Sequence, residues 1–120
     1  MDALPRTIEY YETADGKKPF IEWIEEQEGD VRHRINTRFL HVEKGNFGVH
    51  RKEGNGVFAL IFEFGPGYRI YYALTEEQKV VLLFSGGTKK RQDSDVAKAH
   101  EYWADFKARK AMEAKKKKKN

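Results

Sequence analysis

Cysteine is absent from this chain of 120 residues. Without thiols, neither a disulfide framework nor a thiolate metal site can form. The chain also has no run of about 18 apolar residues that could span a bilayer, and residues 1–6 lack the apolar core of a signal peptide. The sequence therefore predicts a cytoplasmic protein without a membrane partner, and its length suits one compact domain.

Histidines are few, and their spacing does not suit a metal site. The four are His33, His41, His50 and His100. Two of them lie eight residues apart on one predicted helix, which is too far for a shared metal ion, and no HExxH pattern occurs. The glycine-containing segments 65–67 and 86–87 lack the remainder of a phosphate-binding loop. We therefore predict no metal and no other cofactor.

Charge is distributed unevenly along the chain. The formal net charge is +4, but the five consecutive lysines at 115–119 outweigh it, so the rest of the chain is slightly acidic. Residues 1–30 hold nine acids and three bases, whereas residues 31–114 are net basic. This pattern favours one acidic and one basic face, although ordinary helix-surface charge explains the acidic half equally well.

The chain divides into a domain, residues 1–112, and a Lys-rich tail, residues 113–120. The tail is predicted to be disordered, because a run of like charges cannot bury apolar surface. It either adds non-specific affinity for polyanions or only keeps the chain soluble.

Hydrophobic periodicity and turn residues predict seven helices and strands in the domain. They are a strand at 7–13, a helix from Pro19 to near Gly29, a basic helix from Val31 to Gly45, strands at 57–64, 68–74 and 79–84, and a final helix that begins at Asp93 or Ser94. Residues 49–56 are predicted to be a polar, glycine-rich loop. The order β-α-α-β-β-β-α indicates an α+β domain with helices packed on a small antiparallel sheet.

Cations cluster around the ends of the predicted strands. They are His50, Arg51, Lys52, Arg69, Lys89, Lys90 and Arg91. A meander brings these segments to neighbouring strands, so the cations could hold an RNA backbone while Tyr68, Tyr71 or Tyr72 stacks on a base. The alternative is that the tyrosines fill the two faces of the sheet and the lysines are solvated.

Several residues form a pattern that resembles a known family. They are the segments 45–48 (GNFG), 64–72 (FGPGYRIYY), 81–83 and 86–87, then Lys89, Gln92, Asp95, Ala99 and the segment 101–103 (EYW). Over roughly residues 5–106 the chain is similar to the HigB-like addiction module killer branch of the RelE/ParE toxin superfamily. The resemblance implies a RelE-like fold and the toxin of a type II toxin-antitoxin system. Such toxins are commonly ribosome-dependent, metal-free endoribonucleases that cut mRNA.

The resemblance also implies partners and site residues. The partners are mRNA and the ribosome, a cognate antitoxin of the helix-turn-helix type, and operator DNA only through that antitoxin. Arg69 matches the arginine of the family's GPGYR motif, Lys89 matches its lysine after the glycine pair, and Arg51 stands where it usually has a loop lysine. We expect these three to bind phosphate and stabilise the transition state.

Other site residues follow from chemistry and location. Imidazole side chains can act as acid or base near neutral pH, so His50 is a candidate for that role. Candidates for RNA binding are Lys52, Tyr68, Lys90, Arg91 and Gln92.

One departure from the family pattern bears on activity. Where the family typically has Glu-Leu-Arg on the second strand, this chain has Ala59, Leu60 and Ile61. Isoleucine in place of arginine removes five donors and a fixed charge from the expected cleft. The alternative to a nuclease is therefore a non-catalytic member that inhibits gyrase as ParE-like toxins do, or that only binds its antitoxin. A third hypothesis is a structural RNA-binding domain that uses the Lys-rich tail.

Overall fold

Eight helices and strands lie within residues 4–118, the part of the chain that the computed structural model describes. They are β1 (Thr7–Tyr10), α1 (Pro19–Glu25), α2 (Gly29–Glu43), β2 (His50–Lys52), β3 (Phe58–Ile61), β4 (Tyr68–Thr75), β5 (Val80–Thr88) and α3 (Gln92–Lys118). A short 3-10 turn, Lys89–Arg91, joins β5 to α3. The predicted α+β class is confirmed.

The five strands form a single mixed sheet in the order β1-β5-β4-β3-β2. Strands β2 to β5 pair antiparallel with their neighbours, but β1 pairs parallel with β5, and Thr7 lies opposite Val80. The expectation of a purely antiparallel sheet is therefore wrong. Alternation of apolar residues signals a strand, but it does not encode which strand becomes its neighbour or in which direction the two run.

Strand β2 lies where the sequence indicates only a polar loop. Its three residues pair with β3, with His50 opposite Leu60 and Lys52 opposite Phe58. All three are exposed, and β2 lies at the edge of the sheet. Such a strand has no apolar alternation, and short, charged strands are common at sheet edges because they discourage further pairing.

Two layers of helix cover the sheet. Helices α1 and α2 cover one face, called here the α1–α2 face, where Leu60, Ile70 and Tyr72 are buried. Helix α3 covers the other, called the α3 face, where Ala59, Tyr71 and Phe84 are buried. Successive residues of a strand point to opposite faces, and this divides β3 and β4 between two cores.

The apolar residues at helical spacing in α2 and α3 pack in the two cores. The α2 stripe of Val31, Ile35, Phe39 and Val42 is buried against the sheet. On the other face, Ala99 of α3 is fully buried, and Val96, Trp103 and Phe106 pack around it.

Helix α3 is longer than the sequence indicates at both ends. It begins at Gln92 and continues to Lys118, into the segment predicted to be a disordered tail. Residues 111–117 are exposed, so no core contact holds them. Alanine and lysine are strong helix formers, and cations are favourable near the negative end of a helix, so the helix can continue without such contacts. The last two residues of the predicted tail lie outside the described part of the chain.

None of the helices described within residues 4–118 has the length and apolarity needed to cross a membrane.

Candidate functional site

The candidate site lies on the α3 face, beside the first turn of α3. Arg69 of β4 lies between Ile61 of β3 and Gly87 of β5 in the strand register. Arg51 of β2 lies opposite Ala59, which is buried on the same face. The two arginines therefore project from one face of the sheet, from strands separated by β3.

Gln92 joins the two guanidinium groups. Its Oε1 atom accepts a hydrogen bond from Nη2 of Arg51 at 3.0 Å and another from Nε of Arg69 at 3.2 Å. Arg69 also donates from Nη1 to the carbonyl oxygen of Gly67 at 2.8 Å. Arg51 forms an ion pair with Glu53, with 2.6 Å between Nε and Oε1. The first residue of α3 thus links two strands of the sheet through one oxygen atom.

The two arginines differ in exposure. Arg69 is only 6% exposed, whereas the side chain of Arg51 is 48% exposed. Among the described residues, no carboxylate lies within ion-pair distance of the Arg69 guanidinium, and its hydrogen bonds go to neutral oxygens. A nearly buried cation that lacks a negative partner is unusual, because removing a charge from water is costly unless the charge is paired.

An open cleft of about 360 Å³ adjoins Arg69. Its lining consists of Ile61, Phe62, Glu63, Gly65, Pro66, Gly67, Arg69 and Lys89. The β3–β4 turn and the 3-10 turn are held together here, because the backbone nitrogen of Lys89 donates to the carbonyl oxygen of Gly67 at 2.8 Å. The structure thus brings the predicted residues Arg69 and Lys89 together. Ile61 lines the same cleft.

His50 and Lys52 do not join this cluster. They flank Arg51 in β2, and neighbouring residues of a strand point to opposite faces. His50 lies beside Phe47, which packs on the α1–α2 face, and its Nδ1 is 2.8 Å from the carbonyl oxygen of Gly48. The sequence-based grouping of His50 with Arg51 placed them in one loop, whereas the strand separates them.

The tyrosines considered for base stacking pack against the two hydrophobic cores. Tyr68 packs against Trp23 and Phe64 on the α1–α2 face. Tyr71 and Tyr72 are buried in the two cores. For these last two, the alternative interpretation, that they fill the two faces of the sheet, is the one that the structure bears out.

Lys90 and Arg91 are exposed in the 3-10 turn. Burial raises the carboxyl pKa of Asp95, which lies one turn into α3, above its usual value. The positive charge of Arg91 partly offsets this increase. Asp95 Oδ2 is buried and has no hydrogen-bond partner among the described residues, as is also true of the Tyr71 hydroxyl and Ser85 Oγ. Burial, together with the negative charges of Asp95 and Glu53, raises the pKa of Tyr71 to about 12.

The sequence gives little indication of two further residues near this site, Glu53 and His100. Glu53 follows Arg51 by two residues, and a carboxylate at that spacing on a strand is the available signal for their ion pair. His100 is a less expected neighbour: its Nε2 is 2.9 Å from the carbonyl oxygen of Glu53. Only the packing of α3 on the sheet joins two residues so far apart in sequence.

Comparison with known proteins identifies a relative of this chain. No family model matches it, and no solved structure matches it. An uncharacterized protein of Haemophilus influenzae is 35% identical over 69 residues, which are 58% of this chain and 69% of the relative. The chain belongs to the family of that Haemophilus protein. Because the relative is uncharacterized, membership of this family brings no activity with it.

For this member of the family, the chemistry follows from its own side chains. Arg51, Arg69 and Lys89 offer a set of donors that suits phosphate, and charge-assisted hydrogen bonds to phosphate are stronger than neutral ones. Within residues 4–118, no cluster of three His, Asp or Glu side chains is arranged to hold a metal ion. Two of these three cations, Arg69 and Lys89, line the cleft, and Arg51 is joined to Arg69 through Gln92.

Proposed function

We propose that this chain is a RelE/ParE-like toxin of the HigB-like branch, which cuts mRNA on the ribosome. The order of its elements supports the proposal, since it matches the β-α-α-β-β-β-α order of that family apart from the three-residue edge strand β2. In this proposal a cognate helix-turn-helix antitoxin covers the cleft and holds the toxin inactive. Operator DNA is contacted only through that antitoxin.

The observation that carries the proposal is that Arg51 and Arg69 project from one face of the sheet and that Arg69 lines the cleft together with Lys89. In cleavage of RNA without a metal, the 2′-OH gives up its proton to water and attacks the neighbouring phosphate, and the bond from phosphorus to the 5′-oxygen breaks. Negative charge develops on the phosphorus oxygens during this step. Fixed guanidinium groups stabilise that charge and need little reorganisation during the reaction. Arg69 lines the cleft with Lys89, and Arg51 is tied to Arg69 through Gln92.

Proton transfer is assigned to Lys89 in this proposal. Lys89 lines the cleft, and its ammonium group can protonate the leaving 5′-oxygen. His50 is not assigned this role, because it projects from the opposite face of β2. Two more of the predicted RNA contacts, Lys90 and Arg91, are exposed beside Lys89, and in this proposal they hold the strand next to the cleft.

A second candidate function has its own supporting observation. Ile61 lies directly opposite Arg69 in the strand register and lines the cleft, so an apolar side chain occupies the position where the family has an arginine. A cleft without that guanidinium suits a non-catalytic protein, which inhibits gyrase or only binds its antitoxin. The two candidates differ in whether mRNA is cut.

Induced expression followed by mapping of mRNA ends tests the proposal. The wild type is compared with Lys89→Ala and Arg51→Ala, two variants at exposed positions that should fold normally. Lys44→Ala, an exposed lysine that follows α2, is the matched control. We expect new mRNA ends and a block of translation in the wild type and the control, and their loss in the two site variants.

Other outcomes separate the alternatives. Growth arrest without mRNA cleavage or a translation block would rule out the nuclease and favour gyrase or another target. No effect on growth would favour a protein that only binds its antitoxin.

A further inference from the structure

The side chain of Gln92 occupies the space between the two arginines. Both Nη2 of Arg51 and Nε of Arg69 lie within 3.2 Å of its Oε1 atom. A phosphate oxygen bound by two guanidinium groups accepts hydrogen bonds at comparable distances, although these are somewhat shorter because the acceptor is charged. The carboxamide oxygen therefore stands where an anionic oxygen would be held.

We propose that Gln92 Oε1 is an internal substitute for a phosphate oxygen, and that a phosphodiester binds Arg51 and Arg69 only after this side chain has moved away. The inference rests on the proposed function in one respect, namely that the phosphodiester belongs to RNA. It changes the role of Gln92 from a residue that binds RNA to one that competes with it.

The burial of Arg69 supports an anionic ligand independently of Gln92. This guanidinium is nearly buried, and its hydrogen bonds go to the neutral oxygens of Gln92 and Gly67. Its charge is therefore solvated by carbonyl groups, and Arg69 also lines the cleft. Replacing one neutral acceptor by an anionic oxygen strengthens the hydrogen bond and supplies the missing negative charge.

The position of Gln92 makes the exchange simple. It is the first residue of α3, and its side chain is partly exposed. Rotation about the side-chain bonds releases both arginines without moving the helix, and exposed side chains change rotamer within nanoseconds. The neighbouring ion pair with Glu53 then keeps Arg51 oriented when Gln92 has left.

Titration with inorganic phosphate tests the proposal on the purified full chain. Binding is followed through the ¹⁵N–¹H signals of the arginine Nε groups, which report on Arg51 and Arg69 directly. Gln92→Ala should bind phosphate about tenfold more tightly than the wild type, because it loses a competing hydrogen-bond acceptor for two charged donors. Gln92→Glu should bind it far more weakly, because a carboxylate would pair with both guanidinium groups.

Controls separate competition from a positioning role. Arg51→Ala should weaken phosphate binding, and Gln27→Ala, a matched glutamine change in contact with Trp23, should leave it unchanged. If Gln92 instead held the arginines in place, Gln92→Ala would weaken binding as Arg51→Ala does, and the proposal would be wrong. The same conclusion would follow if phosphate left both arginine signals unshifted.

The outcomes for phosphate and for mRNA are separable. Tighter phosphate binding by Gln92→Ala together with no mRNA cleavage by the wild type would support the substitution by Gln92 and reject the nuclease. Cleavage by the wild type together with weakened phosphate binding by Gln92→Ala would reject the substitution and retain the nuclease.

Discussion

Gly86 lies directly beneath the indole ring of Trp23. A Cβ atom at Gly86 would be 2.3 Å from Cε3 of that ring, well inside van der Waals contact. The next residue has a similar neighbour on the other face, since a Cβ atom at Gly87 would be 2.0 Å from Oδ2 of Asp95. The glycine pair thus allows α1 and α3 to approach β5 closely from opposite sides.

Gly86→Ala should destabilise the fold because its methyl group would have to displace an aromatic ring. We expect a loss of about 1–3 kcal/mol in the free energy of unfolding, the usual range for overpacking. Urea denaturation measures it. Gly29→Ala is the matched control, because the nearest atom to its Cβ would be 3.9 Å away. Equal stability of Gly86→Ala and the wild type would show that Trp23 does not pack on β5 as described.

Asp95→Asn should stabilise the protein at neutral pH. Burial raises the carboxyl pKa above its ordinary value of 3.8, so the folded state binds the proton more tightly than the unfolded state does. For such a group, stability falls as pH rises through the interval between the unfolded and folded pKa values, and the loss persists above it. Removing the ionisable group removes this loss.

The pH dependence of the melting temperature tests the role of Asp95. Asp95→Asn should melt higher than the wild type at pH 7, and the difference should shrink as the pH falls through the raised pKa toward 3.8 and be lost below it. Asp93→Asn, at an exposed position in the same helix turn, should not reproduce this profile. A difference that stayed constant with pH would mean that ionisation of Asp95 is not its cause.

Arg38 links α2 to the segment that precedes β2 and to the last residue of β3. Its guanidinium donates to the carbonyl oxygens of Phe47, Val49 and Ile61 at distances of 2.6 to 3.0 Å. It also lies 4.7 Å from the centre of the Phe62 ring. Helical periodicity assigns Arg38 only to the faces of α2 away from the apolar stripe, and gives no sign of these partners.

Arg38→Lys should cost about 2–3 kcal/mol of stability, because one ammonium group cannot reach all three carbonyl oxygens and leaves partly buried acceptors unpaired. Arg32→Lys, at an exposed position with one hydrogen bond to Gln27, is the matched control and should change stability little. Urea denaturation compares them. Equal losses in the two variants would argue against the network around Arg38.

The lysines at the end of α3 should contribute to RNA affinity without contributing to stability. Replacing Lys115, Lys116 and Lys117 by glutamine keeps helix propensity and removes three exposed charges. If all three contact single-stranded RNA, the slope of log K against log salt should fall by about 2, given roughly 0.7 per phosphate contact. The melting temperature should not change.

A charge-matched variant is the control for this experiment. Replacing Lys17, Lys18 and Lys44 by glutamine removes the same number of exposed charges elsewhere on the surface. Fluorescence anisotropy with a single-stranded RNA at several salt concentrations compares the two. If the slopes fall equally, net charge explains the effect, and the lysines of α3 have no special role.

Local patterns predicted the parts of the fold that depend on local packing. Phe58 and Leu60 of β3 and Phe62 directly after it alternate with other residues, and all three pack on the α1–α2 core. Strand β2 escaped detection because an edge strand without a buried face has no such alternation. In the site, the identity of Arg69 and Lys89 was predictable, whereas the position of His50 was not, since it depends on an unpredicted strand.

The sequence by itself determined most of the strands and helices, which of their faces are apolar, and which cations are available to a site. These properties repeat every two or 3.6 residues, so they depend on near neighbours in the chain. The tertiary structure alone decided that β1 runs parallel to β5 and that Gln92 joins Arg51 to Arg69. The two hydrogen bonds of Gln92 join residues that are 41 and 23 positions apart in the chain, and only the packing of α3 on the sheet brings these residues together.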